Sequence, residues 1–133
     1  RLFIHSDVNS VGADAMPIML AEIAANTFSG AWPMVAPFVG ALGSFVAGSA
    51  TFSNMMFANL QLAVAHQLSL PPVTMTALQL LGSNAGNMIC VSNVVAAASV
   101  VKIVGEEGQI IRYTIMPMLF YVLLVGAIGM LAV

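Results

Sequence analysis

The sequence predicts an all-α integral membrane protein, a helical bundle in which two transmembrane elements are interrupted, as re-entrant hairpins or broken helices. Charged residues make up 6% of the chain and apolar residues 60%. Between Ile23 and Val101 there is no Asp, Glu, Lys or Arg. A water-soluble domain covers its surface with charge, so this composition indicates a lipid environment. Helices satisfy their own backbone hydrogen bonds in lipid, which favours them as the spanning elements.

A single membrane domain is expected over residues 1–133. The chain opens at Arg1 without a Met and stops at Val133 inside an apolar segment. We therefore expect it to be a fragment of a longer membrane protein. At about 20 residues per crossing, four or five helical passes are the most that fit.

Residues 1–30 are predicted to hold the end of one helix followed by a short helix at the membrane interface. Asp14 is a suitable N-cap for this second helix, which we expect to run to about Phe28. Glu22 lies inside it, and an acidic residue makes a short helix a poor lipid-exposed span. Trp32, a residue type favoured at the level of the lipid headgroups, then marks a boundary.

Residues 31–70 are predicted to form a hairpin. As one helix, the stretch from Pro33 to Leu68 would be about 54 Å long, whereas the hydrocarbon core of a bilayer is about 30 Å thick. The polar cluster at 48–54 is expected to interrupt it and to leave two arms that are each too short to span. Irregular backbone at that depth is tolerated only where protein or a wet cavity surrounds it. These features favour a re-entrant hairpin with a polar tip.

Residues 71–101 are predicted to form a broken helix. The segment starts after a proline pair at 71–72, and the cluster at 82–87 is expected to break it. Both predicted breaks open with Gly-Ser, at Gly48 and Gly82 respectively, and close with Asn-Met. Paired interruptions of hydrophobic segments are the best pointer in a sequence to a transporter binding site.

Residues 109–133 are predicted to form a transmembrane helix. The run from Tyr113 to Val133 carries no charge and is long enough to cross a bilayer. A hydrophilic loop precedes it and is flanked by Lys102 and Arg112. The tendency of cationic loops to stay on the inner side places this loop in the cytoplasm.

The two breaks are expected to bind an anion at the membrane midplane. A helix start leaves unpaired N–H groups and the positive end of a dipole, equivalent to about half an elementary charge. Two such starts match a single carboxylate, and alternating access to the site from either side would give transport. The predicted substrate-binding residues are Ser49, Thr51, Ser53, Asn54, Ser83, Asn84, Asn87 and Asn93.

An alternative interpretation assigns the same residues to packing. Gly40, Ser44 and Gly48 recur at intervals of four, a small-residue stripe suited to close helix contact. Ser and Thr in membrane helices also commonly bond back to their own backbone. On this alternative the chain belongs to a non-transporting membrane subunit whose breaks only serve packing.

Several other classes are disfavoured by the residue patterns. The sequence has no nucleophile with a nearby base, no Cys/His metal spacing and no phosphate-binding loop, so we expect no enzyme, metal or cofactor. The net charge of −2, without a cationic cluster, argues against a nucleic-acid partner. Cys90 is the only cysteine, which leaves no internal disulfide.

Two stretches carry a family resemblance. They are residues 38–49, continued by Ser53-Asn54 and Leu60-Gln61, and residues 86–101, followed by Gly105-Glu106 and residues 111–114. In this order they resemble the C-terminal portion of the lactate permease family, which are bacterial inner-membrane carriers that move lactate and glycolate with protons.

The resemblance implies secondary active transport of a small monocarboxylate, lactate or glycolate, by a multi-pass protein of the bacterial inner membrane. The partners it implies are the small organic anion, a coupling proton or sodium ion, and the lipid bilayer. An alternative within the same architecture is a carrier for another organic or inorganic anion, with sodium or proton coupling.

Overall fold

The computed structural model describes Met19, Glu22, Ile23 and residues 26–133. From Ser29 onward a short 3-10 helix, Ser29–Ala31, is followed by five α-helices, and the described residues include no strand. The helices are α1 (Trp32–Ala47), α2 (Ala50–Gln67), α3 (Pro72–Asn87), α4 (Val91–Val100) and α5 (Glu107–Leu131). The predicted all-helical class is confirmed. The expectations for residues 1–18, including the cap at Asp14, lie outside the described residues.

The first break lies at the start of the predicted polar cluster and is shorter than predicted. Gly48 ends α1 in the left-handed conformation, with φ of 73°, and its N–H donates to the carbonyl of Ser44. Ser49 is extended, and its hydroxyl accepts a hydrogen bond from the N–H of Phe52, capping α2. The rest of the cluster, residues 51–54, therefore belongs to the first turns of α2.

The second break does not lie where the sequence predicted it. Helix α3 continues without interruption through residues 82–87, and the chain instead breaks at Met88–Cys90, before α4. The two helices are bent by 43° at this point. The prediction that Gly82–Asn87 breaks the helix is thus wrong.

Close helix packing explains the glycines of this segment. A Cβ atom on Gly82 would overlap the carbonyl of Pro37, and one on Gly86 would overlap the carbonyl of Ala41. Gly40 meets the backbone of α3 in the same way, at Gln79. Helices α1 and α3 therefore cross at backbone contact, and only glycine fits at these three positions.

The core lies between α1, α2 and α3, with α5 packed across α1 and α3. One buried apolar cluster contains Trp32, Ala36, Leu60, Val64, Ala65, Met75, Leu78 and Val125. A second contains Ala41, Ala85, Ile89, Met118 and Val122. The bundle thus places both breaks at one end of the α1–α3 pair, where α1 and α3 end.

The described residues include one helix and one bent pair of helices that are candidate spans. Helix α5 is long and apolar enough to cross a membrane. Helices α3 and α4 meet the same measure when they are taken together as one bent span. Helix α1 is apolar but, at 16 residues, shorter than a full crossing. The multi-pass arrangement stays a prediction.

Candidate functional site

The two breaks lie against each other in the fold. A Cβ atom on Gly48, in the first break, would lie 2.9 Å from the hydroxyl oxygen of Ser92 and 3.4 Å from the sulfur of Cys90. These two residues stand at the start of α4, directly after the second break. A cleft of about 560 Å³ opens between the breaks, and its walls are Phe45, Val46, Ala47, Gly48, Cys90, Val91 and Ser92. The end of α1 at the first break therefore lies beside the start of α4, although the sequence misplaced the second break.

The start of α4 concentrates polar groups at this cleft. Cys90 is the buried N-cap residue, and its sulfur lies 3.0 Å from the hydroxyl oxygen of Ser92. The backbone N–H groups of Ser92 and Asn93 face the same sulfur. The side-chain amide of Asn93 donates to the side-chain oxygen of Asn87 at 2.9 Å and to its carbonyl at 3.3 Å. This pair of asparagines ties the end of α3 to the start of α4 across the bend.

The structure brings only some of the predicted site residues to the breaks. Ser49 caps α2 next to Gly48, and Asn87 and Asn93 bond to each other at the second break. Thr51 is exposed on the first turn of α2. Whether these side chains contact a substrate stays a prediction.

The other four predicted residues lie away from the breaks. The hydroxyl of Ser53 is buried between α1 and α2, where it donates to the carbonyl of Gly40 at 2.9 Å. Asn54 lines a different cleft, between α2 and α3. Ser83 is buried and donates to the carbonyl of Leu80 in its own helix at 2.8 Å, and Asn84 is exposed on α3. Ser83 thus bonds back to its own helix, as the packing alternative expects, whereas Ser53 bonds to the neighbouring helix α1.

A buried chain of hydrogen bonds, which the sequence did not predict, joins α1, α2 and α3. The indole N–H of Trp32 donates to the amide oxygen of Gln61 at 2.9 Å. The amide nitrogen of Gln61 donates to the amide oxygen of Gln79 at 3.0 Å, and that of Gln79 donates to the hydroxyl of Ser53 at 3.4 Å. The hydroxyl of Ser53 donates in turn to the carbonyl of Gly40.

None of these side chains titrates near neutral pH, so the chain of bonds positions helices and does not relay protons. Gln61 and Gln79 are 0% and 1% exposed, which makes an unpaired amide there costly. A signal in the sequence was available, because each glutamine directly follows a leucine, Leu60 or Leu78, on the apolar side of its helix.

Two buried polar atoms, the hydroxyl oxygen of Ser44 and the amide oxygen of Asn54, have no partner among the described residues.

The breaks carry no charged side chain. Residues 44–54 and 83–93 contain no Asp, Glu, Lys or Arg. The described residues also contain no group of three His, Cys, Asp or Glu that could hold a metal ion. An anion in the cleft would therefore meet the start of α4 and the hydroxyl of Ser92 and no charged side chain. A helix start is a group that holds anions at broken transmembrane helices.

Comparison with known proteins decides the family. The family model described as L-lactate permease matches residues 5–133. The chain belongs to the L-lactate permease family. It is 39% identical to a putative L-lactate permease of Haemophilus influenzae over 127 residues, or 96% of this chain. It is 38% identical to the L-lactate permease of Salmonella typhi over 109 residues, or 82% of the chain. A glycolate permease of Escherichia coli K12 is 33% identical over 100 residues, or 75% of the chain.

These matches take in only a part of each relative. The aligned residues make up 22%, 20% and 18% of the three permeases. The chain therefore spans about a fifth of the length of the L-lactate permease family members it matches. No solved structure matches it. The relatives are named as permeases and not as enzymes, in agreement with the expectation from the sequence.

Proposed function

We propose that the complete protein containing this chain is a secondary carrier that moves a small monocarboxylate, lactate or glycolate, across the bacterial inner membrane together with protons. The observation that carries this proposal is family membership, with relatives named for L-lactate and for glycolate. Both named substrates are small 2-hydroxy acids with a single carboxylate. A binding site for such an acid needs a positive electrostatic potential at the carboxylate and a few neutral hydrogen-bonding groups.

The cleft between the breaks suits such an anion. Gly48, which directly precedes the cap of α2, and Cys90, the N-cap of α4, both line the cleft. The start of α4 contributes about half an elementary charge there, and the hydroxyl of Ser92 can donate to a carboxylate, without any cationic side chain. In carriers with broken helices, rocking of one bundle against another opens the site to alternate sides of the membrane, and the part of the carrier outside this chain would supply the second bundle.

The substrate-contacting residues we propose are Ser49 and Asn93, each next in sequence to a residue that lines the cleft, and Asn87, which bonds to Asn93. The hydroxyls of Ser53 and Ser83 are engaged in bonds inside the bundle, which removes them from the contact set. The alternatives, a carrier for another anion and a non-transporting subunit, predict different results in the assay that follows.

Uptake of labelled L-lactate and glycolate into proteoliposomes tests the proposal. The complete protein should accumulate both when the interior is made alkaline, and an uncoupler should abolish the accumulation. A sodium gradient alone should have no effect. Uptake of neither acid would reject the proposed substrates, and the absence of uptake for any small anion would favour the non-transporting subunit.

Asn93→Ala tests the assigned site within the same assay. A hydrogen bond to a charged group contributes about 1.5–3 kcal/mol, which corresponds to a loss of roughly 10- to 100-fold in uptake efficiency. The matched control is Asn84→Ala, which removes an exposed asparagine of α3 and should leave uptake unchanged. If both variants transport like the unsubstituted protein, Asn93 is not part of the site.

A further inference from the structure

One line of side chains on α2 points away from the bundle. Met55, Asn59, Leu62 and His66 are separated by 4, 3 and 4 residues, which places them along one side of the helix. Met55, Asn59 and His66 are exposed, and Leu62 is half-buried. We call these four residues the outward seam. At about 1.5 Å per residue, the seam extends roughly 16 Å along α2.

The outward seam contains a polar side chain near its middle, Asn59, whose amide forms no hydrogen bond within the described bundle. Asn59 lies near the middle of α2, and its side-chain amide has no hydrogen-bond partner among the residues that the structure describes. The core already occupies the opposite side of the helix, where Leu60, Gln61 and Val64 are buried. An amide that faces hydrocarbon is costly, so polar side chains in membrane segments face protein or a water-filled cavity. Lipid is therefore a poor cover for this side of α2.

The outward faces of the neighbouring helices are different. On α1 the exposed side chains include Leu42, and on α5 they include Met116, Phe120 and Ile128. Such faces suit the hydrocarbon core of a bilayer. Helix α2 has the length of a spanning helix, 18 residues, and yet it lacks the hydropathy of one. The contrast indicates that α2, and not α1 or α5, meets further protein.

The spacing of the seam is compatible with cover by a second helix. Intervals of four and three are those by which one helix packs against another in a left-handed pair, the commonest arrangement of membrane helices. Met55 and Leu62 supply the apolar contacts on either side of the amide. A single Asn at such a position fixes the register of two helices, because it bonds to a polar group of its partner. A water-filled passage along the seam is less favoured, because Met55 and Leu62 would then expose their apolar side chains to water.

We infer that the outward seam packs against another transmembrane helix of the complete carrier, and that Asn59 donates a hydrogen bond to that helix. The chain makes up about a fifth of the length of its relatives, so most of the carrier is available to supply the partner. This contact is structural and goes beyond the proposed function, since it does not depend on which anion is carried. It would join the helices that form the breaks to the rest of the protein.

Photo-crosslinking tests this inference. The complete carrier is reconstituted into vesicles with p-benzoylphenylalanine in place of Met55 or, separately, of Leu62, and cross-linked peptides are identified by mass spectrometry after irradiation. Both positions should cross-link within one polypeptide to the same helix, outside the 133 residues of this chain. The two sites on the partner should lie about seven residues apart, as the probes do. The control probe replaces Phe120, on the apolar outward face of α5, and should give lipid adducts only.

The outcomes separate the possible covers of the seam. Lipid adducts alone from both positions would overturn the inference, and so would cross-links confined to residues of this chain. A product of twice the mass of the carrier would show that a second copy occupies the seam instead.

The variant Asn59→Cys tests whether this side of α2 faces water. It is made in a carrier whose native cysteines have been replaced, with Cys90→Ser among the replacements. The engineered thiol should not react with a membrane-impermeant methanethiosulfonate reagent, and its labelling would overturn the inference. Cross-links to the partner helix without any lactate uptake would reject the proposed function and leave this contact standing.

Discussion

Replacing Gln61 with leucine should destabilise the bundle through the groups it leaves unpaired. Gln61 connects Trp32 and Gln79, so Gln61→Leu leaves an indole N–H and an amide oxygen without partners in a buried site. An unsatisfied buried group costs about 1–3 kcal/mol, whereas hydrogen bonds between membrane helices contribute nearer to about 0.6–2 kcal/mol because the reference state also finds partners. At about 1 kcal/mol for each of the two groups, the loss in the free energy of unfolding is about 2 kcal/mol.

A double-mutant cycle on the purified complete protein in detergent measures this effect. The double variant Gln61→Leu/Gln79→Leu removes the orphaned amide oxygen together with its partner, so it should cost about 1 kcal/mol less than the sum of the two single variants. Gln109→Leu is the matched control. This exposed glutamine on the first turn of α5 has no side-chain partner among the described residues, and its replacement should change stability by less than about 0.5 kcal/mol. A Gln61→Leu variant as stable as Gln109→Leu, or simple additivity of the two core substitutions, would refute the buried network.

Two glycine substitutions test the helix crossing and the first break. Gly82→Ala places a methyl group against the backbone of α1 and should cost about 3 kcal/mol in thermal unfolding, whereas Gly108→Ala, with nothing within 4 Å, should be neutral or slightly stabilising. Equal effects of the two would contradict the crossing. Gly48→Ala combines left-handed strain of about 1–2 kcal/mol with contact against Ser92, so lactate uptake should fall as well as stability. Gly105→Ala is the control, because Gly105 also has a positive φ but has open space around it. This variant should lower stability and leave uptake unchanged. If it also loses uptake, backbone strain and not contact at the cleft explains the loss of uptake in Gly48→Ala.

The sequence predicted the fold class and one of the two breaks. The absence of charge favours a lipid environment, in which the stretch that includes Gly48 is too long for one crossing and has to be interrupted. Glycine in the left-handed conformation provides that interruption. The same Gly-Ser pattern at Gly82 has a different cause, since there glycine allows two backbones to touch inside a continuous helix. Glycine serves both purposes, and the choice between them depends on which helix lies opposite, information that local sequence does not contain.

The candidate site was predictable only in outline. The expectation that two breaks meet agrees with the proximity of Gly48 and Ser92, although the second break lies at Met88–Cys90. The buried bonds of Gln61 and Gln79 were missed because an amide in an apolar helix is equally compatible with an outward face, as the exposed Asn59 on the same helix as Gln61 illustrates. Only the packing of three helices distinguishes the two environments.

The position of a bound monocarboxylate in the complete carrier tests the central claim most directly. It can be measured by cryo-electron microscopy of the protein saturated with L-lactate. We predict density for the carboxylate in the cleft that Gly48, Cys90 and Ser92 line, in contact with the first turn of α4. Lactate bound elsewhere, with the cleft between the two breaks closed and empty, would contradict this claim.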